Sequence, residues 1–496
     1  MRKKQIVKKI RTGKSMKSSH RNKFVQRALA ALFMLFITVI SGCLAVGPDY
    51  VRPDTTVNKD WNTKLKSDQD KKQTDTANLA AWWNTLGDKK LGSLIERAAK
   101  GNLDLKKAQA RIREARARRG VAKAGLFPTL DATGSASRSK SSDDSGGATS
   151  DLYAAGFDAS WELDIFGGVR RSVEAAQATL EASQEDLRDV LVSLLAEVAT
   201  NYVDVRTYQA RLAVAEENLK SQEETYQLTL WQSQAGLSDE LAVQQARYNL
   251  ENTRSNVPTL RTGLEEAMNR IAVLLGEQPG KVHEELAKRE NIPVAPLNIA
   301  AGVPADVLRR RPDIRKAERN LASQTATVGV AVADLYPRFT LSGAIGLEAL
   351  STGNLFSSGS GKYSFGPAVT IPLFAGGSIR KNIEVQSALQ EQYLIAYETT
   401  VLTALEEVEN ALTAYAEEQN RRQSLIDAAA AAKQAVELAK NKYQSGLIAF
   451  SDVLDAQRSL LSFEDDLAKS EGTVTTNLIS LYKALGGGWE SAANNH

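Results

Sequence analysis

Residues 120–128 read GVAKAGLFP, and residues 329–337 read GVAVADLYP. Six of the nine positions are identical, and each lies 209 residues from its counterpart. The match extends outward: Asp104–Pro128 runs in step with Asp313–Pro337, setting Leu105 with Ile314, Lys107 with Lys316 and Ala108 with Ala317. In both copies a helix-forming stretch meets a proline that cannot continue it and that pushes the residue before it to extended geometry. The pattern predicts helix-to-strand transitions at Pro128 and Pro337. The small residues of the shared frame, Ala124 and Ala333 among them, allow close packing there.

The stretch after each proline alternates. Beyond Pro128, TLDATGSASRS places Leu130 and Ala132 on one face, and a Ser/Gly/Asp loop comes next. Then Tyr153, Ala155, Phe157, Ala159, Trp161 and Leu163 alternate with Ala154, Gly156, Asp158, Ser160, Glu162 and Asp164. That period of two, with an aromatic-bearing face and a polar one, predicts strand–loop–strand. The second copy repeats it with FTLSGAIGLE at 339–348 and YSFGPAVTIPLF at 363–374, and IPLFAGGSIR echoes ELDIFGGVRR. The chain reads as two tandem copies of helix–strand–strand–helix–helix.

The helices after each strand pair carry apolar residues seven apart. One series is Leu191, Val198, Val205, Leu212, Leu219, Tyr226, and another is Val243, Leu250, Val257, Leu264, Ile271. The second copy has Leu394, Val401, Val408, Tyr415 and then Val453, Leu460, Leu467, Val474, Leu481. A sustained spacing of seven specifies a supercoiled seam. The pattern after Gly168 is unbroken to about Gly236, which at 1.5 Å per residue makes a helix of roughly 100 Å. Pro258 falls inside one pattern, where a kink is expected.

The formal charge of +3 conceals a leader. Residues 1–42 hold 11 Lys and Arg and no acid, ending in the apolar run ALAALFMLFITVISG at 28–42. A basic region before a short apolar one is a secretory signal. Without it the chain has 51 basic and 59 acidic residues, near −8, which argues against a general nucleic-acid binder. Cys43 is the only cysteine, so no disulfide forms within one chain. Ile40-Ser41-Gly42-Cys43 resembles a bacterial lipobox, which implies acylation of Cys43 as the first mature residue. Leu44, rather than an aspartate, stands after it; by the same resemblance this favours outer-membrane sorting.

Each copy supplies two strands of about 10–12 residues, long enough to cross a bilayer when tilted. Four strands cannot close a barrel, since membrane barrels begin at about eight. No apolar run of about 20 residues remains after residue 42, so no mature helix is expected to span the membrane. The economical reading is a barrel shared between chains, eight-stranded in a dimer or twelve-stranded in a trimer.

The duplicated plan, the GLFP and DLYP turns, the LDIFGG and PLFAGG exits, RRRPDI at 309–314 and the ending SLYKALGGGW at 480–489 resemble the TolC-type outer membrane factors. With the lipobox, the resemblance is to the lipoprotein (NodT-like) branch. It implies a mainly α chain with membrane β: a trimeric 12-stranded outer-membrane β-barrel, four strands per chain, continued by a coiled-coil periplasmic α-barrel. It also implies a homotrimer in outer-membrane lipid, a periplasmic adaptor, an inner-membrane pump and no cofactor. Residues 1–42 are then a signal peptide and 43–78 an acylated, extended arm. The first repeat covers 79–281, with helices over 79–125, strands over 127–165 and long helices over 168–275. A linker covers 282–310. The second repeat covers 311–489, with a helix over 311–335, strands over 338–374 and long helices over 376–485, and 490–496 form a tail.

The candidate gate lies at the helix–helix turns far from the strands, QAGLSDE at 234–240 and QSGLIAFSDVLD at 444–455. Asp452 and Asp455 are three apart and share a helix face, so a trimer would present rings of three carboxylates. The pattern around Tyr443, Gly446, Asp452 and Asp455 resembles the family's periplasmic aperture, and Asp239 matches the acidic position of the first copy. Ile448 stands where some members carry a basic latch; an apolar latch through Leu447, Ile448 or Phe450 is one consequence. Helix capping at Ser238-Asp239 and Ser451-Asp452 is the competing reading of these acids.

No phosphate loop, serine elbow or zinc motif is present, and the mature histidines are His283 and His496. Gly486-Gly487-Gly488 reads as a helix C-cap and turn. Energy for transport must therefore come from elsewhere. Met268 is the one methionine after the leader, which argues weakly against a channel dedicated to copper or silver. The favoured function is a passive exit duct for drugs or other small toxic compounds. A protein-secretion duct and a pore-free structural coiled-coil lipoprotein are the alternatives.

Overall fold

The computed structural model describes residues 45–54, 56–63, 79–293 and 304–489. Cys43, the signal peptide, the rest of the polar arm and the tail lie outside the described residues. In chain order, the elements of the first repeat are a 3-10 turn Trp82–Leu86, α1 (Lys89–Gly101), α2 (Leu103–Ala124), β1 (Thr129–Lys140), β2 (Thr149–Leu163), α3 (Gly168–Gln234) and α4 (Glu240–Leu274). The short helices α5 (His283–Leu286) and α6 (Pro304–Arg310) come next. The second repeat has α7 (Pro312–Ala333), β3 (Arg338–Ala349), β4 (Gly361–Thr370), α8 (Ser378–Gln444) and α9 (Phe450–Ala484). The chain is mostly helical with four antiparallel strands. α3 and α8 have 67 residues each, and α4 and α9 have 35 each. Pro258 lies inside α4. Among the described residues no helix is long and apolar enough to cross a membrane.

By contacts, the chain divides into two compact units that cut across the repeats. Among the described residues one gathers 45–51, Arg116–Thr179 and Leu321–Tyr393; its centre is a single sheet of order β1-β2-β3-β4, antiparallel throughout. The hairpin register sets Thr129 opposite Ser160 and Arg338 opposite Thr370, and the repeats join where Leu163 faces Phe339. β1 is exposed along its whole length, and the apolar positions Phe157, Ile345, Tyr363 and Phe365 are open. Water does not reward that face; a hydrocarbon environment does.

The two quoted nonapeptides build the same turn. After Ala124, Phe127 N–H bonds Ala124 O at 3.0 Å; after Ala333, Tyr336 N–H bonds Ala333 O at 3.0 Å. A strand begins one residue past each proline. Trp161 Nε1 donates to Leu126 O at 3.0 Å, tying β2 to the first turn. On the return, Asp164 accepts from Val169 N–H and Arg170 N–H and so satisfies the start of α3.

The small residues matter differently in the two copies. A Cβ placed on Gly168 would come 3.1 Å from Ala333 Cβ, whereas Ala124 is exposed. Ala333→Leu is therefore expected to overpack the chain itself, at about 1–3 kcal/mol. Ala124→Leu should leave a chain of unchanged melting midpoint but reduce assembly. Calorimetry and native mass would separate the two, and equal midpoints would refute the distinction.

The start of the described arm is pinned to the strand-bearing unit. Arg171, 3% exposed, donates to Val46 O, Gly47 O and Asp49, and Val46 N–H bonds Phe166 O. Gly47, at φ 89°, lies so near Gly329 that a Cβ would fall 2.5 Å from its Cα. Gly329 of the second nonapeptide is thus the seat of the arm.

The other unit gathers the described residues within 52–115, 180–320 and 394–489. Its main core includes the seam positions Leu191, Val198, Val205, Ile271, Val401, Val408, Tyr415, Val474 and Leu481. Leu212 and Val257 form a second cluster. Trp82, 1% exposed, stacks on Tyr482 at 5.4 Å. Gly486, at φ 73°, ends α9: its N–H bonds Lys483 O, and Gly487 N–H bonds Tyr482 O. That is the left-handed C-terminal turn glycine permits.

Candidate functional site

α3 ends at Gln234, and Gly236, at φ 73°, reverses the chain. Asp239 is extended at the N-cap of α4 and accepts from Ala242 N–H at 2.9 Å. It satisfies one of the amide donors that a helix start leaves open. α8 ends at Gln444, and Gly446, at φ 69°, makes the corresponding turn. α9 starts at Phe450, earlier than a cap at Ser451-Asp452 would have it. Ala449 is the N-cap and has no accepting side chain, so Asp452 reaches back to Ala449 N–H at 3.1 Å. Asp239 and Asp452 are thus both engaged with backbone at helix starts.

Asp455 differs. Its side chain is 72% exposed, and Arg458 Nη1 stands 3.4 Å from its carboxylate. Arg458 does not figure in the sequence expectation. Its Nη2 donates to Tyr248 OH at 2.6 Å, its Nε donates to Asn249 Oδ1 at 3.0 Å, and it lies over the Tyr248 ring. One guanidinium thereby links the first turns of α9 to α4, using the planar fork that lysine lacks. The signal available in the sequence is the spacing Asp455–Arg458, three apart on one helix face. The cross-helix partners carry no sequence signal.

Of the apolar latch candidates, Phe450 is 6% exposed and packs with Ala242, Ala246 and Leu454, so it is committed to the helix seam. Ile448 is half-buried and Leu447 is 72% exposed. The Tyr443 ring packs at a tilt against Phe450, centroids 5.2 Å apart, and sets its OH 3.4 Å from Gln232 Oε1. Tyr443 therefore braces the turn from behind.

Further along the helices from these turns the seam turns polar. Gln222, Thr229, Asn249, Thr253 and Gln457 are each 3% exposed or less. Gln457 Nε2 reaches Thr225 Oγ1 at 3.0 Å, but both amide atoms of Gln222, Asn249 Nδ2 and Gln457 Oε1 find no partner among the described residues. Buried polar atoms left unpaired weaken a seam by about 1–3 kcal/mol each. Gln222→Leu, close to it in volume, is expected to stabilise the protein by roughly 1–2 kcal/mol. A lowered thermal midpoint would show that Gln222 is in fact paired in the assembled protein.

The geometry yields a pair of helical hairpins whose tips carry capped acids, one exposed carboxylate and a cross-helix guanidinium. The model of the family described as "Outer membrane efflux protein" matches residues 94–277 and 303–487. Nodulation protein T of Rhizobium leguminosarum bv. viciae is 33% identical over 451 residues, covering 91% of this chain and 92% of that protein. The probable efflux pump outer membrane protein TtgC of Pseudomonas putida is 32% identical over 471 residues, covering 92% of this chain and 96% of that protein. Among solved structures, the outer-membrane channel OprN is 38% identical with a TM-score of 0.83, covering 90% of this chain and 99% of that chain.

Proposed function

We propose, from the premise that this chain belongs to the outer membrane efflux protein family, that three copies form a passive exit duct for drugs or other small toxic compounds. The chain is an outer-membrane channel component of efflux pumps, extending into the periplasm, and it is not an enzyme. Its place is in a tripartite assembly. The single observation that carries the trimeric duct is the four-stranded sheet with two open edges, β1 and β4. A sheet cannot end in hydrocarbon, because its unpaired amides and carbonyls would each cost several kcal/mol. Copies must therefore share a barrel, and three give twelve strands.

Acylation at Cys43 would add a second attachment to the same membrane. A periplasmic adaptor would grip the helical hairpins, and an inner-membrane pump would supply the energy. Asp455 and Arg458, with Asp452, Asp239, Tyr443 and Ile448 around them, would form the periplasmic aperture. Purified protein in planar bilayers should give discrete single-channel currents, and a deletion strain should become more susceptible to drugs. A silent bilayer would favour the pore-free lipoprotein, and an altered secreted-protein profile with unchanged susceptibility would favour secretion.

A further inference from the structure

Three buried amides lie at one level of the helical hairpins. Leu212 and Ala215 of α3 pack with Val257 and Leu260 of α4. Nearer the tips, Tyr226 of α3 packs against Ala242 and Ala246 of α4 and Phe450 and Leu454 of α9. Gln222 and Asn249 fall between these apolar clusters, and Gln457 follows Leu454 by three residues. The three are 2%, 3% and 3% exposed. Two of their amide atoms are bonded: Gln457 Nε2 donates to Thr225 Oγ1, and Asn249 Oδ1 accepts from Arg458 Nε. The other four have no partner among the described residues.

The four are complementary. Gln222 Nε2 and Asn249 Nδ2 can only donate, and Gln222 Oε1 and Gln457 Oε1 can only accept. Two bonds would satisfy the whole set, Asn249 Nδ2 to Gln222 Oε1 and Gln222 Nε2 to Gln457 Oε1. Both pass through Gln222, which α3 contributes. Asn249 has its carbonyl end committed to Arg458, the guanidinium at the tips.

Room for a shift is present beside the layer. A cavity of about 150 Å³ lies between α3, α8 and α9, with Thr225, Thr229, Tyr443 and Val453 in its wall. Thr225 thus belongs both to the cavity and to the layer. Duplication does not account for the amides. α3 and α8 start at Gly168 and Ser378, and α4 and α9 at Glu240 and Phe450, both pairs 210 apart. That offset sets Ala432 against Gln222, Ser459 against Asn249 and Arg247 against Gln457. The layer therefore belongs to one seam of each chain rather than to the repeated plan.

We infer that Gln222, Asn249 and Gln457 form a counter-element to the Arg458 latch: unpaired while Arg458 holds Asn249, they pair through Gln222 when the latch lets go and α9 shifts against α3. The inference rests on the aperture reading and deepens it. A two-state element needs interactions that differ between its states. The Arg458 bonds favour the held state, and the amide bonds favour the shifted one. Buried amides left unpaired penalise the held state, so the layer makes opening easier than the tip contacts alone would allow. Asn249 couples the two, because its carbonyl serves the latch and its amide nitrogen the layer.

The test is single-channel recording of the full-length protein in planar bilayers, read with the thermal midpoint in detergent. Gln222→Leu and Gln222→Met remove the central amide at similar volume. Each should raise the midpoint and lower the open fraction roughly tenfold. Added to Arg458→Ala, Gln222→Leu should return the current most of the way to the unmodified level. A raised midpoint with an unchanged open fraction would make the layer a packing defect and overturn the inference. So would a lowered midpoint, which means that Gln222 is already paired in the assembled protein. Arg458→Ala recorded alone separates the two readings. If it conducts like the unmodified protein, the aperture reading fails and takes the layer with it; if it conducts more and Gln222→Leu changes nothing, the layer alone fails.

Discussion

Replacing Arg458 with Ala is expected to raise single-channel conductance several-fold and to admit antibiotics that the intact protein excludes. Arg458 makes two hydrogen bonds to α4, through Tyr248 and Asn249, and one contact within α9 to Asp455. A charge-assisted bond to a neutral partner contributes about 1.5–3 kcal/mol when shielded, and less at this exposure, so about 1–2 kcal/mol per chain is reasonable. Three copies acting together would shift the balance of open and closed apertures by two orders of magnitude or more. Asp455→Ala alone should act in the same direction but more weakly, because it leaves both bonds to α4. Asp452→Ala removes the bond to Ala449 N–H and should cost about 1 kcal/mol at the start of α9. Pore current for each variant, read with the thermal midpoint, separates opening from unfolding. If Arg458→Ala conducts like the unmodified protein, the hairpin tips are not the constriction.

Arg311→Ala is expected to cost about 3–5 kcal/mol, enough to abolish assembly at growth temperature. Arg311 is 8% exposed. It donates to both carboxylate oxygens of Asp313 and to Ala484 O, and it pairs with Glu407 at 2.7 Å. Burial lowers the pKa of this guanidinium, but hydrogen bonding and attraction from Asp313, and then from Glu407, more than offset it, so the group stays charged. Its stem also packs on Gly486, where a Cβ would come 3.2 Å from Arg311 Cγ. The one residue therefore joins the start of α7, the end of α9 and α8. Arg311→Lys should fail almost as badly, because an ammonium cannot present the fork. Thermal unfolding in detergent and trimer yield are the readouts. A midpoint within about 1 kcal/mol of the unmodified protein would show that the RRRPDI motif has a different purpose.

Much of the fold was legible because it is periodic. Period-two runs after Pro128 and Pro337, and period-seven runs after Gly168 and Gly377, are local patterns that depend on one face being buried and the other not. Duplication then doubled every signal. The pattern reached too far at Phe374: β4 stops at Thr370, since apolar alternation registers a buried face but not whether a partner strand is there to pair. The site was less legible for a related reason. Asp239 and Asp452 stand at helix starts, where capping and gating place the same residue type. Arg458 was missed because its partners, Tyr248 and Asn249, lie 210 and 209 residues away. The arm reads as extended and polar, and its anchoring was not legible for the same reason. It has no apolar period, yet Arg171 and Gly329 hold it through backbone atoms, which leave no mark in the amino-acid pattern.

The sequence by itself determined the duplication, the four strands, the long helices and their seams, because each arises from spacing along one stretch of chain. Only the tertiary structure decided which strand lies beside which, where β4 ends, what Arg311 and Arg458 hold, and how Arg171 pins the arm. Those depend on contacts between residues far apart in the chain. Their energy comes from bringing fixed geometries together, and no local period records it.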